Sequence, residues 1–185
     1  MKNINLSPLT KRDVSAYLEL YESAFPASER KDMDYMLTGP RAEAYDALVI
    51  STPDTPVAGM VITVTHGGLC MLDYFAISPD LRGQGIGHAV LPLIRRRSKG
   101  HFFLEIETPA PNCDPRDACP NPEQRVRRKA FYLSAGMAET GVRAFIYGND
   151  MELLAFPEDA PFITFEGYDA LLKATFPAGM AAERL

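Results

Sequence analysis

Between residues 80 and 87 the chain reads DLRGQGIG, three glycines in its last five residues, directly after the apolar run LDYFAISP and directly before the helix-like stretch HAVLPLIRRR. A strand that ends in a tight glycine turn and opens a helix aims several backbone N–H groups and the positive helix end at one spot. That is how a pyrophosphate is held without a lysine. The two commoner phosphate patterns do not fit: no Gly-Lys-Ser/Thr follows, and the spacing is G-x-G-x-G rather than G-x-G-x-x-G, with no acidic residue at the expected strand end.

Proton-transfer chemistry has three candidate locations. On HFFLEIE, Phe103, Glu105 and Glu107 share one strand face and Leu104 and Ile106 the other. Alternating acids of this kind suit either a general base or a solvent-facing strand. Tyr132, in AFYLSAG, carries a phenol that ordinarily titrates near ~10 and can donate a proton, or it is a core tyrosine of an amphipathic helix. Glu29, in FPASER, is either a base or an acid favoured by a helix N-terminus. His66, His88 and His101 are scattered and receive no catalytic role, although His88 adjoins the glycine turn.

The elements that must position these groups follow from periodicity. INLSPL reads as a strand, and Thr10 is a plausible cap for the helix KRDVSAYLELYESAF, whose Val14, Tyr17, Leu18, Tyr21 and Phe25 recur at three and four. Pro26 ends it, Ser28 is a candidate cap for ERKDMDYML, and Gly39-Pro40 closes that second helix. YDALVIST and VAGMVITVTH are strands around the turn PDTP; Gly67-Gly68 then leads into LCMLDYFAIS. A helix from the glycine run to Gly100 should kink at Pro92, which removes one hydrogen bond. HFFLEIE is a strand, Thr108 to Pro122 is a proline-rich loop, and EQRVRRKAFYLSAG is a helix ended by Gly136. VRAFIYG and MELLAF form an antiparallel pair, and EGYDALLKATF is a last helix. This order predicts a mixed α/β fold, a mostly antiparallel central sheet flanked by helices on both faces.

Composition bounds the rest. With 185 residues, 46% hydrophobic residues and a mean hydropathy of -0.11, one domain over 1–185 is expected. No apolar window suggests a membrane span or a secretory signal, so a cytoplasmic location is expected. The net charge of -5 argues against nucleic acid as a partner. From Arg82 to Lys129, however, ten Lys/Arg face five Asp/Glu, a net of +5, while the rest of the chain carries nine against nineteen, a net of -10. The three cysteines fit a reducing compartment. Cys70 lies in an apolar run, and Cys113 and Cys119 in NCDPRDAC lack CxxC spacing and a nearby histidine, so no metal is expected.

The segment RGQGIG, with the flanking LDYFAISPDL and the later RRKAFYLSAGM, resembles the GCN5-related N-acetyltransferase (GNAT) family, whose signature is Q/R-x-x-G-x-G/A. The element order agrees from residue 4 to about residue 155. The resemblance divides the domain into an acceptor-side half, 1–66, an acetyl-CoA-binding core, 67–136, and C-terminal strands and helix, 137–185. It implies that acetyl-CoA pairs its pantetheine arm with backbone groups of Phe75, Ala76 and Ile77. Its pyrophosphate would sit on the amides of Arg82, Gly83, Gln84, Gly85, Ile86, Gly87 and His88, with Arg95 to Arg97 or Arg125 to Lys129 meeting phosphate charge. Tyr132 aligns with the family's general acid, while Glu107, preferred as nearer the strand end, or Glu105 is the expected base. Phe25 and Glu29 border the acceptor groove, and the loop from Thr108 to Pro122 is expected to shape it.

The implied function is acetyl transfer from acetyl-CoA to a primary amine of a small molecule or peptide, by direct attack in a ternary complex. The alternative is a non-catalytic acyl-CoA-binding or regulatory module on the same fold. A homodimer is left open as a partner state, and no metal, membrane or nucleic acid is implied. Two departures stand out: Arg125 replaces an asparagine frequent seven residues before the tyrosine, and Met137 replaces a phenylalanine.

Overall fold

The computed structural model describes residues 3–176 and 182–185. Among them are eight strands, mostly antiparallel in their pairing, and five helices, a mixed α/β fold. The chain forms two compact units, residues 3–64 with 72–98, and residues 65–71 with 99–176 and 182–185.

The strands β1 (Asn5–Pro8), β2 (Tyr45–Thr52), β3 (Thr55–His66) and β4 (Leu69–Ile77), of which the first unit holds all but residues 65–71, follow one another in space as in sequence. The β2–β3 hairpin sets Leu48 opposite Val61 and Val49 opposite Met60, all buried. Gly59 permits close strand approach, because a Cβ there would lie 2.7 Å from the Ala76 carbonyl oxygen. Helix α1 (Val14–Ala24) is tied down by the buried Tyr17 hydroxyl, which donates to the Val61 carbonyl at 2.8 Å. Helix α3 (Ile86–Arg97) buries Ile86, Val90, Leu91 and Ile94 on one stripe and contains Pro92.

Both early helices start later than their expected caps. The Thr10 hydroxyl is engaged by the Asp13 carboxylate, and the chain turns once, Asp13 N to Thr10 O at 3.0 Å, before α1 begins at Val14. Helix α2 (Met33–Leu37) is capped by Asp32, whose carboxylate accepts from Asp34 N at 2.9 Å, and not by Ser28. The cause is tertiary. Tyr74 accepts from Lys31 N at 3.0 Å and donates to Glu29 O at 2.7 Å, while the Tyr21 hydroxyl donates to Lys31 O at 3.0 Å. These bonds hold 29–31 out of helical conformation.

The second unit contains β5 (His101–Glu107), α4 (Pro122–Ser134), β6 (Ala138–Ile146), β7 (Asn149–Ala155), α5 (Phe165–Thr175) and β8 (Glu183–Arg184), with strand order β5-β7-β6-β8. Within this unit His101 N donates to Gly68 O at 2.9 Å, and a Cβ on Gly100 would lie 2.4 Å from that oxygen. The core is Phe102, Phe103, Leu104 and Ile106 of β5 with Leu153, Leu154, Tyr168, Leu171 and Leu172. Strand β6 begins four residues before the expected Val142. Gly141, at φ +79°, lies where the β6–β7 register shifts between Glu139 and Arg143, and a bulge lets the strand run on past a residue that reads as a breaker. Strand β8 has two residues, too few for periodicity to reveal.

Candidate active site

The glycine turn belongs to the first unit. Gly83 and Gly85 adopt left-handed backbone, φ +71° and +76°, and a Cβ on either would meet no atom within 4 Å. Side-chain-free backbone with open space above it is what close approach by a ligand requires. Gly85 is the N-cap of α3, and the first bond entering the helix runs from Ala89 N to Gly85 O, 3.1 Å. The amides of Ile86 and Gly87 therefore precede the helix's own hydrogen bonding. Arg82, Gly83, Gln84, Gly85 and His88 are exposed, while Ile86 is buried and fixes the turn. Two side chains brace it from within: Gln84 Nε2 donates to Asp80 O at 3.1 Å, and Arg82 Nε donates to Ile77 O at 3.1 Å. This set of donors fits a pyrophosphate.

Just upstream, Phe75 and Ile77 of β4 are half-buried and alternate with the buried Tyr74 and Ala76. The expected acceptor-side residues lie in the same unit. Phe25 packs edge-on against Tyr74 at 5.0 Å between ring centres, and Tyr21 completes the cluster at 4.9 Å from Tyr74. The Glu29 side chain is exposed. Sequence reasoning missed what lies behind these rings: Lys31 Nζ bonds both oxygens of Asp73 at 2.6 Å and stands 5.3 Å from the Tyr74 ring centre. Burial pushes the Asp73 carboxyl up, and Lys31 opposes that shift.

The remaining candidates lie in the second unit. Glu105 and Glu107 do share a face of β5 with Phe103: the ring of Tyr168 from α5 packs on Phe103 and its hydroxyl donates to Glu105. Glu107 forms an ion pair with Arg128 of α4. Arg128 stands one helical turn before Tyr132, so guanidinium, carboxylate and phenol belong to one neighbourhood. Burial pushes Tyr132 up to about 12, with Arg128 pulling the other way. The phenol therefore holds its proton at neutral pH. The spacing of Arg128 and Tyr132, i to i+4 on a helix, was the available signal for this grouping.

Much of the basic run of α4 is paired within the protein. Arg125 is 1% exposed, and its guanidinium bonds Asp117 at 2.6 and 3.1 Å, Thr108 O at 3.2 Å and Asn149 Oδ1 at 3.2 Å. Lys129 bridges Glu139 and Glu152, each at 2.7 Å. With Arg128 on Glu107, the charges at 125, 128 and 129 are spent on the protein's own carboxylates. Arg127 is 72% exposed and stands 3.5 Å from Glu123. Arg125, at the position where the family often has asparagine, thus holds the loop 108–121 instead. Among the described residues no three His, Cys, Asp or Glu side chains gather as metal ligands, and no helix is long and apolar enough to cross a membrane.

A model of the GNAT acetyltransferase family matches residues 14–113, more than half of the chain, and spans the strand, the glycine turn and β5. The chain belongs to the GNAT acetyltransferase family. Comparison with curated proteins finds no match. Among solved structures, a protein assigned to the GNAT family from Bacteroides thetaiotaomicron superposes with a TM-score of 0.70 at 21% identity, covering 92% of this chain and 96% of its own. The ribosomal-protein-S18-alanine N-acetyltransferase from Escherichia coli gives 0.53 at 23% identity, over 83% and 93%. A spermidine N-acetyltransferase from Vibrio cholerae, in complex with CoA and spermine, gives 0.60 at 13% identity, over 82% and 93%. At these identities the likeness is one of fold.

Proposed function

We propose that this GNAT protein is an N-acetyltransferase that moves an acetyl group from acetyl-CoA to a primary amine of a small molecule or peptide, by direct attack within a ternary complex. The observation that carries the reading is the turn at Gly83 and Gly85, two left-handed glycines with open space above them at the start of a twelve-residue helix. Amides from Arg82 through His88 hold the pyrophosphate, and the backbone of Phe75, Ala76 and Ile77 takes the pantetheine arm. In this reading Arg82 leaves Ile77 O when the coenzyme binds, and its guanidinium becomes available to phosphate.

Three proton and charge tasks remain: an unprotonated amine, a polarised thioester carbonyl and a protonated leaving thiolate. Tyr132 serves as the acid, supported by a phenol held protonated well above neutral pH. Glu107 is the preferred base and Glu105 the second, and each already has a partner, Arg128 and Tyr168 respectively. Those partners orient the carboxylates; they also favour the second reading, an acyl-CoA-binding module without turnover, because a base tied to arginine is a weak one. Phe25 and Glu29 border the acceptor, and residues 67–136 form the coenzyme-binding core of a single acetyltransferase domain.

The deciding experiment is an acetyl-CoA-dependent screen over cationic amines, polyamines and peptide amino termini, following thiol release. Turnover by the parent chain supports the enzyme; coenzyme binding with no turnover over the whole panel supports the module. Tyr132→Phe then tests the acid: coenzyme affinity stays unchanged while kcat falls about 10²- to 10⁴-fold. A phenylalanine variant with full kcat removes Tyr132 from the mechanism.

A further inference from the structure

Lys31 and Asp73, both in the first unit, form a buried ion pair outside the roles assigned above. Lys31 Nζ bonds both carboxylate oxygens of Asp73 at 2.6 Å, and the two side chains are only 12% and 6% exposed. The main chain of Lys31 is fixed at both of its polar groups: its N–H donates to the Tyr74 hydroxyl at 3.0 Å, and its carbonyl accepts from the Tyr21 hydroxyl at 3.0 Å. These bonds turn the side-chain amine in toward β4, 5.3 Å from the centre of the Tyr74 ring. A buried ion pair stabilises a fold by little more than it costs to desolvate, so stability alone does not account for a primary amine held in this way. Of the two lysines among the described residues of this unit, Lys11 is exposed and Lys31 is the one so placed.

The position of the pair along β4 gives the amine a reaction. Asp73, Phe75 and Ile77 are half-buried and alternate with the buried Tyr74 and Ala76, so Asp73 shares a strand face with the other two. With a pyrophosphate on residues 82–88, beyond the C-terminal end of β4, and a pantetheine arm on the backbone of Ile77, Ala76 and Phe75, the thioester end of that arm falls toward Asp73, which lies two residues or ~7 Å beyond Phe75. We propose that Lys31 is a self-acetylation site, whose side-chain amine takes the acetyl group of bound acetyl-CoA while Asp73 accepts its proton; this rests on the coenzyme reading above. Lys31 Nζ gives one proton to Asp73 and attacks the thioester carbonyl carbon. A nitrogen–carbon bond forms, the carbon–sulfur bond breaks, and a second proton passes from nitrogen to the leaving sulfur. The products are acetyl-lysine, the coenzyme thiol and a proton on Asp73. Burial pushes the Asp73 carboxyl up, against the opposing charge of Lys31, which suits it to receive that proton.

The full chain is incubated with acetyl-CoA and no acceptor and, in parallel, with the acetyl ester of N-hydroxysuccinimide, which acylates lysines according to their exposure. Trypsin cuts after Arg30, Lys31 and Arg41, so the unmodified chain yields peptide 32–41 and the acetylated chain yields peptide 31–41 carrying one acetyl group. The expected result is an inversion of order: the ester labels the exposed Lys11, Lys99 and Lys173 ahead of Lys31, and acetyl-CoA labels Lys31 ahead of them. Asp73→Asn should slow the labelling of Lys31 by acetyl-CoA about 10²- to 10⁴-fold, as loss of a proton acceptor does. Because that change also breaks the buried pair and can unfold the chain, Gly85→Ala is the second variant: it should slow labelling by acetyl-CoA at subsaturating coenzyme and leave labelling by the ester as it is. Calorimetry on the parent chain separates the two readings. Coenzyme binding with Lys31 unmodified overturns self-acetylation alone, and absence of binding overturns both. Labelling by acetyl-CoA in the same order as the ester is adventitious acylation and overturns it too.

Discussion

Replacing Gly85 by alanine separates the backbone's conformational demand from its ligand demand. Gly85 sits at φ +76°, and its missing Cβ would meet nothing within 4 Å. The fold therefore loses only the strain of a left-handed L-residue, ~1–2 kcal/mol. If the turn holds a pyrophosphate, the added methyl fills space the phosphate oxygens need, and at least one charge-assisted hydrogen bond, ~1.5–3 kcal/mol, is lost. At ~1.4 kcal/mol per factor of ten, that weakens coenzyme A binding about 10- to 100-fold. Gly141 supplies the control. It has φ +79°, equally open surroundings and a place in β6 with no proposed ligand. Urea unfolding should show similar destabilisation for Gly85→Ala and Gly141→Ala, and calorimetry should show weakened binding only for the first. Equal coenzyme affinity in both variants refutes the phosphate reading of the turn.

Arg125→Met leaves the buried Asp117 carboxylate without its guanidinium and should cost ~3–5 kcal/mol in urea unfolding; a loss below ~1 kcal/mol would mean the pair anchors nothing. Burial is the first cause holding Tyr17, Tyr21, Tyr74 and Tyr132 above their ordinary range. The stability they confer is complete below the unfolded value of ~10 and is lost as pH rises beyond it, so the urea midpoint should hold to that pH and then fall as phenolate absorbance rises. Coenzyme affinity should weaken with salt through Arg82. Arg82→Gln should flatten that dependence and Arg127→Gln should leave it as it is, and the reverse pattern would restore a phosphate role to α4.

Which parts of the fold were legible depends on whether their cause is local. The strands of the first hairpin follow from apolar runs with turn residues between them, and β2 spans Tyr45–Thr52, the whole of YDALVIST. The starts of α1 and α2 were misplaced because caps compete. Thr10 and Ser28 have the right chemistry, but Asp13 engages the first, and the second lies in a turn whose following residues, Glu29 and Lys31, are tied by Tyr74 and Tyr21. The early start of β6 depends on a bulge at Gly141, a glycine that periodicity treats as a stop.

The charge pattern shows the same division at the site itself. Summed along the chain, Arg82 to Lys129 is a basic block, and a basic block beside a phosphate turn reads as a clamp. In three dimensions its members have different partners, and distance along the sequence says nothing of which. Arg125 meets Asp117 eight residues away and is buried with it; Lys129 meets Glu139 and Glu152. An arginine with a buried carboxylate partner is structural whatever its neighbours in sequence suggest, because removing it from that partner costs more than a surface phosphate contact returns. Arg82 differs in kind: its guanidinium is exposed and holds only a backbone carbonyl, Ile77 O, a bond that a phosphate can replace. Its present contact yields readily to the anion the turn is proposed to receive.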